Sequence, residues 1–277
     1  MSKDLSEMRK VDTFYAEMWQ DYLAHTPSAE KIHALLAGES GAELVNDHIA
    51  LRTFNTPELG LAALTPLLLE LGYTHGGDYL FEAKKLRAHH YEHSDPTVPK
   101  VFISELLLEE CSPELNAMIS GLLESVDVSK TARADFLYSG RHWDVSYETY
   151  QALLAESEYA AWVAAFGFRA NHFTVSVNHL AGFDTVADVN ALLQYQEFVL
   201  NTSGGAIKGS PEVLLEQSST MADRVAVPFS DGVETIPACF YEFALRYAQA
   251  DGDLYQGFVA ASADKIFEST NNAAAAV

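Results

Sequence analysis

The sequence predicts an α+β fold in which two β-α-β-β-β modules curl a sheet around a central metal cavity, with additional helices at the N-terminus and in the middle. Three observations carry this reading. Residues 45–54, 171–178 and 240–247 each alternate polar and apolar side chains at strand period, and each places one metal-binding side chain on its polar face. The order strand, helix, three strands occurs twice. Residues 3–37 and much of 112–166 instead repeat their apolar positions at helical spacing.

In chain order, Met8, Val11, Phe14, Tyr15, Met18 and Tyr22 recur as a helical stripe, and Ser28 precedes a second helix holding Ile32, Leu35 and Leu36. Together they read as a helical cap over residues 1–40. The first module, residues 41–110, opens with the strand carrying His48. On that strand His48, Ala50 and Arg52 share a face, with Ile49, Leu51 and Thr53 on the other. Thr56-Pro57 then reads as an N-cap with proline at the first helical position, and the helix runs through Leu64, Leu67, Leu68 and Leu71 to Gly72. Strands follow at residues 78–83, 86–93 and 100–108. The helical insertion, residues 111–166, holds one helix from Ser112-Pro113 and one over residues 148–166, with a short strand at 143–147 between them.

The second module, residues 167–248, repeats the order. Its first strand, 168–178, puts His172, Thr174, Ser176 and Asn178 on one face against Phe173, Val175 and Val177. Thr185 and Asp188 form a capping box for the helix through Leu192, Leu193 and Phe198. After a flexible loop at 201–210 come strands at 212–217, 221–229 and 236–247, the last two separated by Ser230-Asp231-Gly232. On the final strand Glu242, Ala244 and Arg246 share a face. Residues 249–277 are a C-terminal segment, with an Ala- and Asn-rich tail from Thr270 expected to be disordered.

All of this fits a single domain of 277 residues. A net charge of −22 with only 17 Lys and Arg argues against nucleic acid or an anionic membrane as partner, because both reward clustered cations. No apolar run approaches the roughly 20 residues of a membrane span, and the N-terminus has no apolar signal core, so a cytoplasmic location is expected. Cys111 and Cys239 are too few for a disulfide framework.

Two modules side by side bring the faces of His48, His172 and Glu242 toward one cavity. Two imidazoles and a carboxylate with open coordination positions are the donor set of a non-haem Fe(II) oxygenase, although Mn and Zn accept the same ligand types. Each residue has a blander reading: a lone strand histidine is often only hydrogen-bonded, and an arginine beside it can be a surface pair. Glu242 lies among Phe240, Tyr241, Phe243 and Leu245, where an unpaired carboxylate costs several kcal/mol, so it needs a metal or an arginine. The fourth equivalent position lies on strand 100–108. If Phe102 or Ser104 faces inward, the site is open, which is the favoured reading; if Glu105 does, the site resembles that of a four-ligand isomerase or lyase. His89, His90 and His93 read as surface or core residues, and His25, His33, His75, His142 and His179 lack a partner pattern.

The runs Asn46-Asp47-His48-Ile49-Ala50-Leu51-Arg52-Thr53-Phe54, Ala170-Asn171-His172-Phe173-Thr174, Leu215-Glu216-Gln217-Ser218-Ser219-Thr220-Met221-Ala222 and Tyr241-Glu242-Phe243-Ala244-Leu245-Arg246 resemble the DUF1338 family of 2-oxoadipate dioxygenase/decarboxylases. That resemblance implies a vicinal-oxygen-chelate-like half-barrel, Fe(II) held by His48, His172 and Glu242, and a substrate carboxylate clamped by Arg52. It implies that a 2-oxo diacid and O2 are consumed by oxidative decarboxylation, with 2-oxoadipate giving 2-hydroxyglutarate and CO2. The family's C-terminal segment lines the pocket, which points to Ala261 and Ser262. For the second carboxylate of the diacid, Arg246, Lys208 or the hydroxyls of Ser218, Ser219 and Thr220 are the candidates. Two rival readings share the scaffold: a Zn- or Mn-dependent hydrolase or isomerase that consumes no oxygen, and a non-catalytic small-molecule binding protein.

Overall fold

The computed structural model of the protein describes residues 2–38, 41 and 43–271, with side chains from residue 10 onward. Met8, at the head of the predicted stripe, and the expected tail beyond Asn271 lie outside these described side chains. Among the described residues, no helix is long and apolar enough to cross a membrane. Helices α1 (Ser2–Leu23) and α2 (Pro27–Ala37) lead into β1 (Asn46–Phe54), α3 (Leu61–Glu70), β2 (Tyr73–Phe81), β3 (Leu86–His93) and β4 (Lys100–Leu106). Helices α4 (Pro113–Leu123), α5 (Tyr147–Glu156) and α6 (Glu158–Phe166) follow, and then β5 (Ala170–Ser176) and α7 (Val186–Tyr195). The chain continues through β6 (Lys208–Ser210), β7 (Leu215–Ser219), β8 (Arg224–Phe229), β9 (Gly232–Pro237), β10 (Phe240–Arg246) and α8 (Ala260–Ile266).

Eight of these strands form one mixed sheet in the order β2-β3-β4-β1-β5-β10-β7-β6. The first four and the last four are the same arrangement read in opposite directions. In each module the opening strand (β1 or β5) pairs in parallel with the closing strand (β4 or β10), and β1 meets β5 antiparallel at the centre. This is the expected pair of modules and the vicinal-oxygen-chelate-like half-barrel, joined at the strands that carry the two histidines.

The alternation that predicted the faces also decides what packs where. Phe173 and Tyr241 turn outward against Trp19 and Tyr22 of α1, with Trp19 edge-on to Phe173 at 4.9 Å between ring centroids. Their neighbours His172 and Glu242 must therefore turn inward. Tyr22 donates its hydroxyl hydrogen to the Phe240 carbonyl, and Trp162 of α6 donates to that of Ala238, which fixes the chain where it enters β10.

Several boundaries differ from the sequence reading. Of the strands expected at 212–217, 221–229 and 236–247, the first overlaps β7 and the last contains β10, but 221–229 is not a strand of the second module. β8 and β9 form a separate two-stranded hairpin, inserted where the first module passes directly from β3 to β4. Pro237 has no N–H to continue a ladder, so it ends β9 and frees Phe240–Arg246 for the main sheet. The missing strand is β6, inside the stretch read as a flexible loop. Ser157 breaks the helix expected over 148–166 by capping α6, its hydroxyl accepting from the Ala160 amide at 3.1 Å. Residues 143–147 form no strand. Thr270, the expected first residue of a disordered tail, is buried at 3% exposure.

Helix α3 begins a turn later than Thr56-Pro57 suggested, because its cap comes from elsewhere. Glu105 Oε2 accepts the Leu61 amide at 2.7 Å, while Glu105 Oε1 takes the Arg87 guanidinium. Glu105 is thus on the face away from the cavity, excluding it as a fourth ligand. Glu105→Ala should lower folding stability by about 2–3 kcal/mol in urea unfolding, from the lost charged hydrogen bond and helix-end charge, while leaving metal uptake at the centre intact.

Candidate metal centre

His48 and His172 sit on the two central strands, and Glu242 comes from β10 beside β5. Their ligand-type atoms all lie within 4.8 Å of one another. His48 Nε2 is 3.6 Å from Glu242 Oε1 and His172 Nε2 is 3.0 Å from Glu242 Oε2. All three are buried, Glu242 completely.

The hydrogen bonds around them set the tautomers. His48 donates its Nδ1–H to Asp47 Oδ1 at 2.7 Å, and His172 donates its own to Asn171 Oδ1 at 3.2 Å. Both Nε2 lone pairs consequently face the centre, the second-sphere pattern of metal-bound imidazoles. Thr174 Oγ1 lies 3.1 Å from His48 Nε2 itself, so with Nδ1–H given to Asp47 its hydroxyl donates to that lone pair, which a metal would take over. Burial pushes the His172 imidazole below its ordinary pKa. Burial alone would raise the Glu242 carboxyl, but the two imidazoles and the Gln217 amide more than offset it and hold it below the usual value. Gln217 donates to Glu242 Oε1 at 2.6 Å, whereas Glu242 Oε2 has no hydrogen-bond donor aligned on it. A buried carboxylate with one oxygen lacking an aligned donor, set beside two imidazole Nε2 atoms, is a donor set that a divalent cation completes. The residues therefore fit a divalent metal.

Strand register identifies the fourth corner. His48 lies opposite Lys100 as His172 lies opposite Phe240, so Phe102 occupies in the first module the place Glu242 holds in the second. Phe102 and Ser104 line the cavity and Glu105 does not, which leaves one side of the triad free of protein ligands. The cavity is walled by Phe258, Ala263, Ile266 and Phe267 from the C-terminal segment.

Arg52 also lines it, as the sole Lys or Arg among the described residues that do. It is buried against Tyr159, Trp162 and Phe267, with its guanidinium carbon 4.9 Å from the Trp162 ring centroid. One Nη bonds Glu158 at 3.3 Å and the other Thr270 at 3.1 Å, while Nε has no partner. Asn171 Nδ2 is a second unpartnered donor on the cavity wall.

Other candidates lie elsewhere. Arg246 is not in the cavity: it grips Asp47 with two bonds of 2.6 and 2.9 Å and spends Nη1 on the Tyr255 and Gly257 carbonyls. Its role is to orient His48 through Asp47. Lys208 donates to the Asn201 carbonyl, Ser218 to Asn190, and Ser219 shares a hydrogen bond with Ser269. Thr220 accepts the Tyr241 amide. Ala261 is exposed and Ser262 is buried outside the lining, because the turns of α8 that face inward carry Ala263 and Ile266. Gln217 was missed, although it stood in a quoted motif. Its one available signal was an amide at strand spacing from Ser219.

Burial alone would raise the Asp47 carboxyl, but Arg246 and His48 hold it far below the usual range. Its stabilising contribution is therefore complete above the unfolded value of about 3.9 and is withdrawn as pH falls below it. Asp47→Asn should weaken metal binding by roughly 10–100-fold, read by competition with a chromogenic chelator, because the neutral amide loses the Arg246 ion pair that holds it in place and polarises the His48 Nδ1–H less.

The sequence matches the family described as 2-oxoadipate dioxygenase/decarboxylase over residues 5–138 and 130–250. The chain is similar to the 2-oxoadipate dioxygenase/decarboxylase, chloroplastic/amyloplastic, of Oryza sativa subsp. japonica, at 34% identity over 94% of this chain and 78% of that protein. Among solved structures, it resembles the hydroxyglutarate synthase of Oryza sativa in complex with 2-oxoadipate, with TM-score 0.89 and 33% identity over 96% of this chain and 93% of that one. It also resembles a Shewanella frigidimarina NCIMB 400 protein provisionally called a hydrolase, with TM-score 0.86 and 61% identity over 91% of this chain and 98% of that one.

Proposed function

The chain belongs to the 2-oxoadipate dioxygenase/decarboxylase family, and from that premise we infer that it converts 2-oxoadipate and O2 to 2-hydroxyglutarate and CO2 at an Fe(II) held by His48, His172 and Glu242. The observation that carries the metal is the orphaned Glu242 Oε2, fully buried beside two inward-facing Nε2 atoms. Fe(II), when bound, supplies the redox chemistry by which O2 is reduced as the 2-oxo acid loses CO2.

The protein's own groups select and hold the substrate. Phe102 at the fourth corner leaves the open side to small molecules. Arg52 pairs with the carboxylate farther from the metal, since Arg246 is committed to Asp47 and Lys208 to a backbone carbonyl. Its unpaired Nε, with Asn171 Nδ2 on the same wall, provides donors that a substrate carboxylate can meet. Phe258, Ile266 and Phe267 give the methylene chain an apolar wall and exclude water.

An oxygen electrode with anaerobically loaded Fe(II) protein and 2-oxoadipate tests this, with mass spectrometry for 2-hydroxyglutarate. Equal uptake of O2 and release of CO2 is expected. Ester hydrolysis supported by Zn2+ with no O2 uptake would instead match the hydrolase name of the Shewanella relative.

A further inference from the structure

We propose that His75, Asp78 and His89 form a second divalent-cation site on the outer face of the sheet edge, apart from the central cavity. Their ligand atoms lie within 4.8 Å of one another, with His75 Nε2 at 2.9 Å and His89 Nε2 at 3.0 Å from the same Asp78 Oδ1. On an unbroken strand, residues 75 and 78 would point to opposite faces. The register shift between His75 and Gly77 inserts one residue, so His75 lies across from Tyr91 and Asp78 across from His89, all on one face. Glycine at the shift is required, since a Cβ on Gly76 would meet His90 Nε2 at 2.2 Å.

A chain of hydrogen bonds decides which nitrogen of His89 carries the proton. Thr65 donates its hydroxyl hydrogen to the Leu61 carbonyl at 2.7 Å, so it accepts from Tyr91 OH at 2.5 Å. The Tyr91 oxygen then accepts from His89 Nδ1–H at 3.2 Å. Neutral His89 thus presents a lone pair on Nε2 to a carboxylate oxygen 3.0 Å away, two acceptors in contact. His75 can donate to Asp78, but His89 cannot unless it takes up a proton. Arg87, the neighbouring cation on that face, is engaged by Glu105. A bound cation resolves the conflict, and the spacings approach the edge of about 3.3 Å expected between ligands in tetrahedral zinc geometry. Two imidazoles and one carboxylate, with exposed positions left to water, favour the Zn2+, Ni2+ and Cu2+ class over Mg2+ or Ca2+. Such an ion would clip the bulge of edge strand β2 to β3.

The test is equilibrium dialysis of the tag-free, chelator-stripped full chain against micromolar Zn2+ at about pH 8, where a histidine of ordinary pKa is neutral. The wild type should take up two equivalents, Asp78→Asn one, Glu242→Gln one, and the double variant none. Asp78 is solvent-exposed, so its replacement leaves the fold intact, as a melting curve would verify. Two equivalents retained in Asp78→Asn, or a wild type that binds no more than Asp78→Asn, would overturn the site. Because Glu242→Gln removes only the central equivalent, failure of the family reading and failure of this inference give different patterns.

Discussion

Replacing Glu242 by glutamine is expected to cut kcat/KM for 2-oxoadipate by roughly 10³-fold or more, since loss of metal catalysis is worth several kcal/mol and each tenfold corresponds to about 1.4 kcal/mol. The metal-free protein should not gain from the same change. The imidazoles and the Gln217 amide that hold the Glu242 carboxyl below its usual value favour its ionised form in the fold, so the neutral amide gives up that stabilisation. Chelator-treated Glu242→Gln should therefore fall below the chelator-treated wild type by about 1–3 kcal/mol in chemical denaturation. Added Fe(II) should widen the gap, since only the wild type gains binding energy from it. A glutamine variant that is more stable than wild type without metal would mean that the protein alone does not satisfy the buried carboxylate.

Arg52→Lys should raise the KM for 2-oxoadipate by roughly 10–100-fold, the worth of a charged hydrogen bond of about 1.5–3 kcal/mol, while the iron content stays at wild-type level. Lysine keeps the charge but lacks the planar fork that stacks between Tyr159, Trp162 and Phe267 and the Nε donor that is left unpaired. The control is a 2-oxo acid of equal length with one carboxyl group. It should be a poor substrate of both forms and lose little further on the substitution. Equal losses on the diacid and the monoacid would move Arg52 out of contact with the distal carboxylate.

The strands that hold the centre were legible because alternation is a local property: His48, Ala50 and Arg52 on one face, Ile49 and Leu51 on the other, needs no partner strand to be read. The repeated element order was legible too. What escaped depends on contacts between distant residues or on local breaks in the pattern. The Asp47–Arg246 pair spans 199 residues, and without it Arg246 looks free to bind substrate. Glu105 could have faced either way until its acceptance of the Leu61 amide was seen. The strand read from residue 78 in fact begins at Tyr73 and slips between His75 and Gly77, so the sequence reading left His75 outside it and away from Asp78. Pro237 was visible, yet its interruption of a long apolar run was read through.

The antiparallel seam between β1 and β5 has a further consequence for how the centre is filled in a living cell. A nascent chain that has emerged from the ribosome only as far as α6 offers His48 without His172 or Glu242, a lone imidazole that holds metal ions poorly. The triad is complete only after β10 has been translated and docked beside β5. Loading of this centre is thereby deferred until nearly the whole polypeptide is folded, whatever the outer His75–Asp78–His89 cluster holds before then.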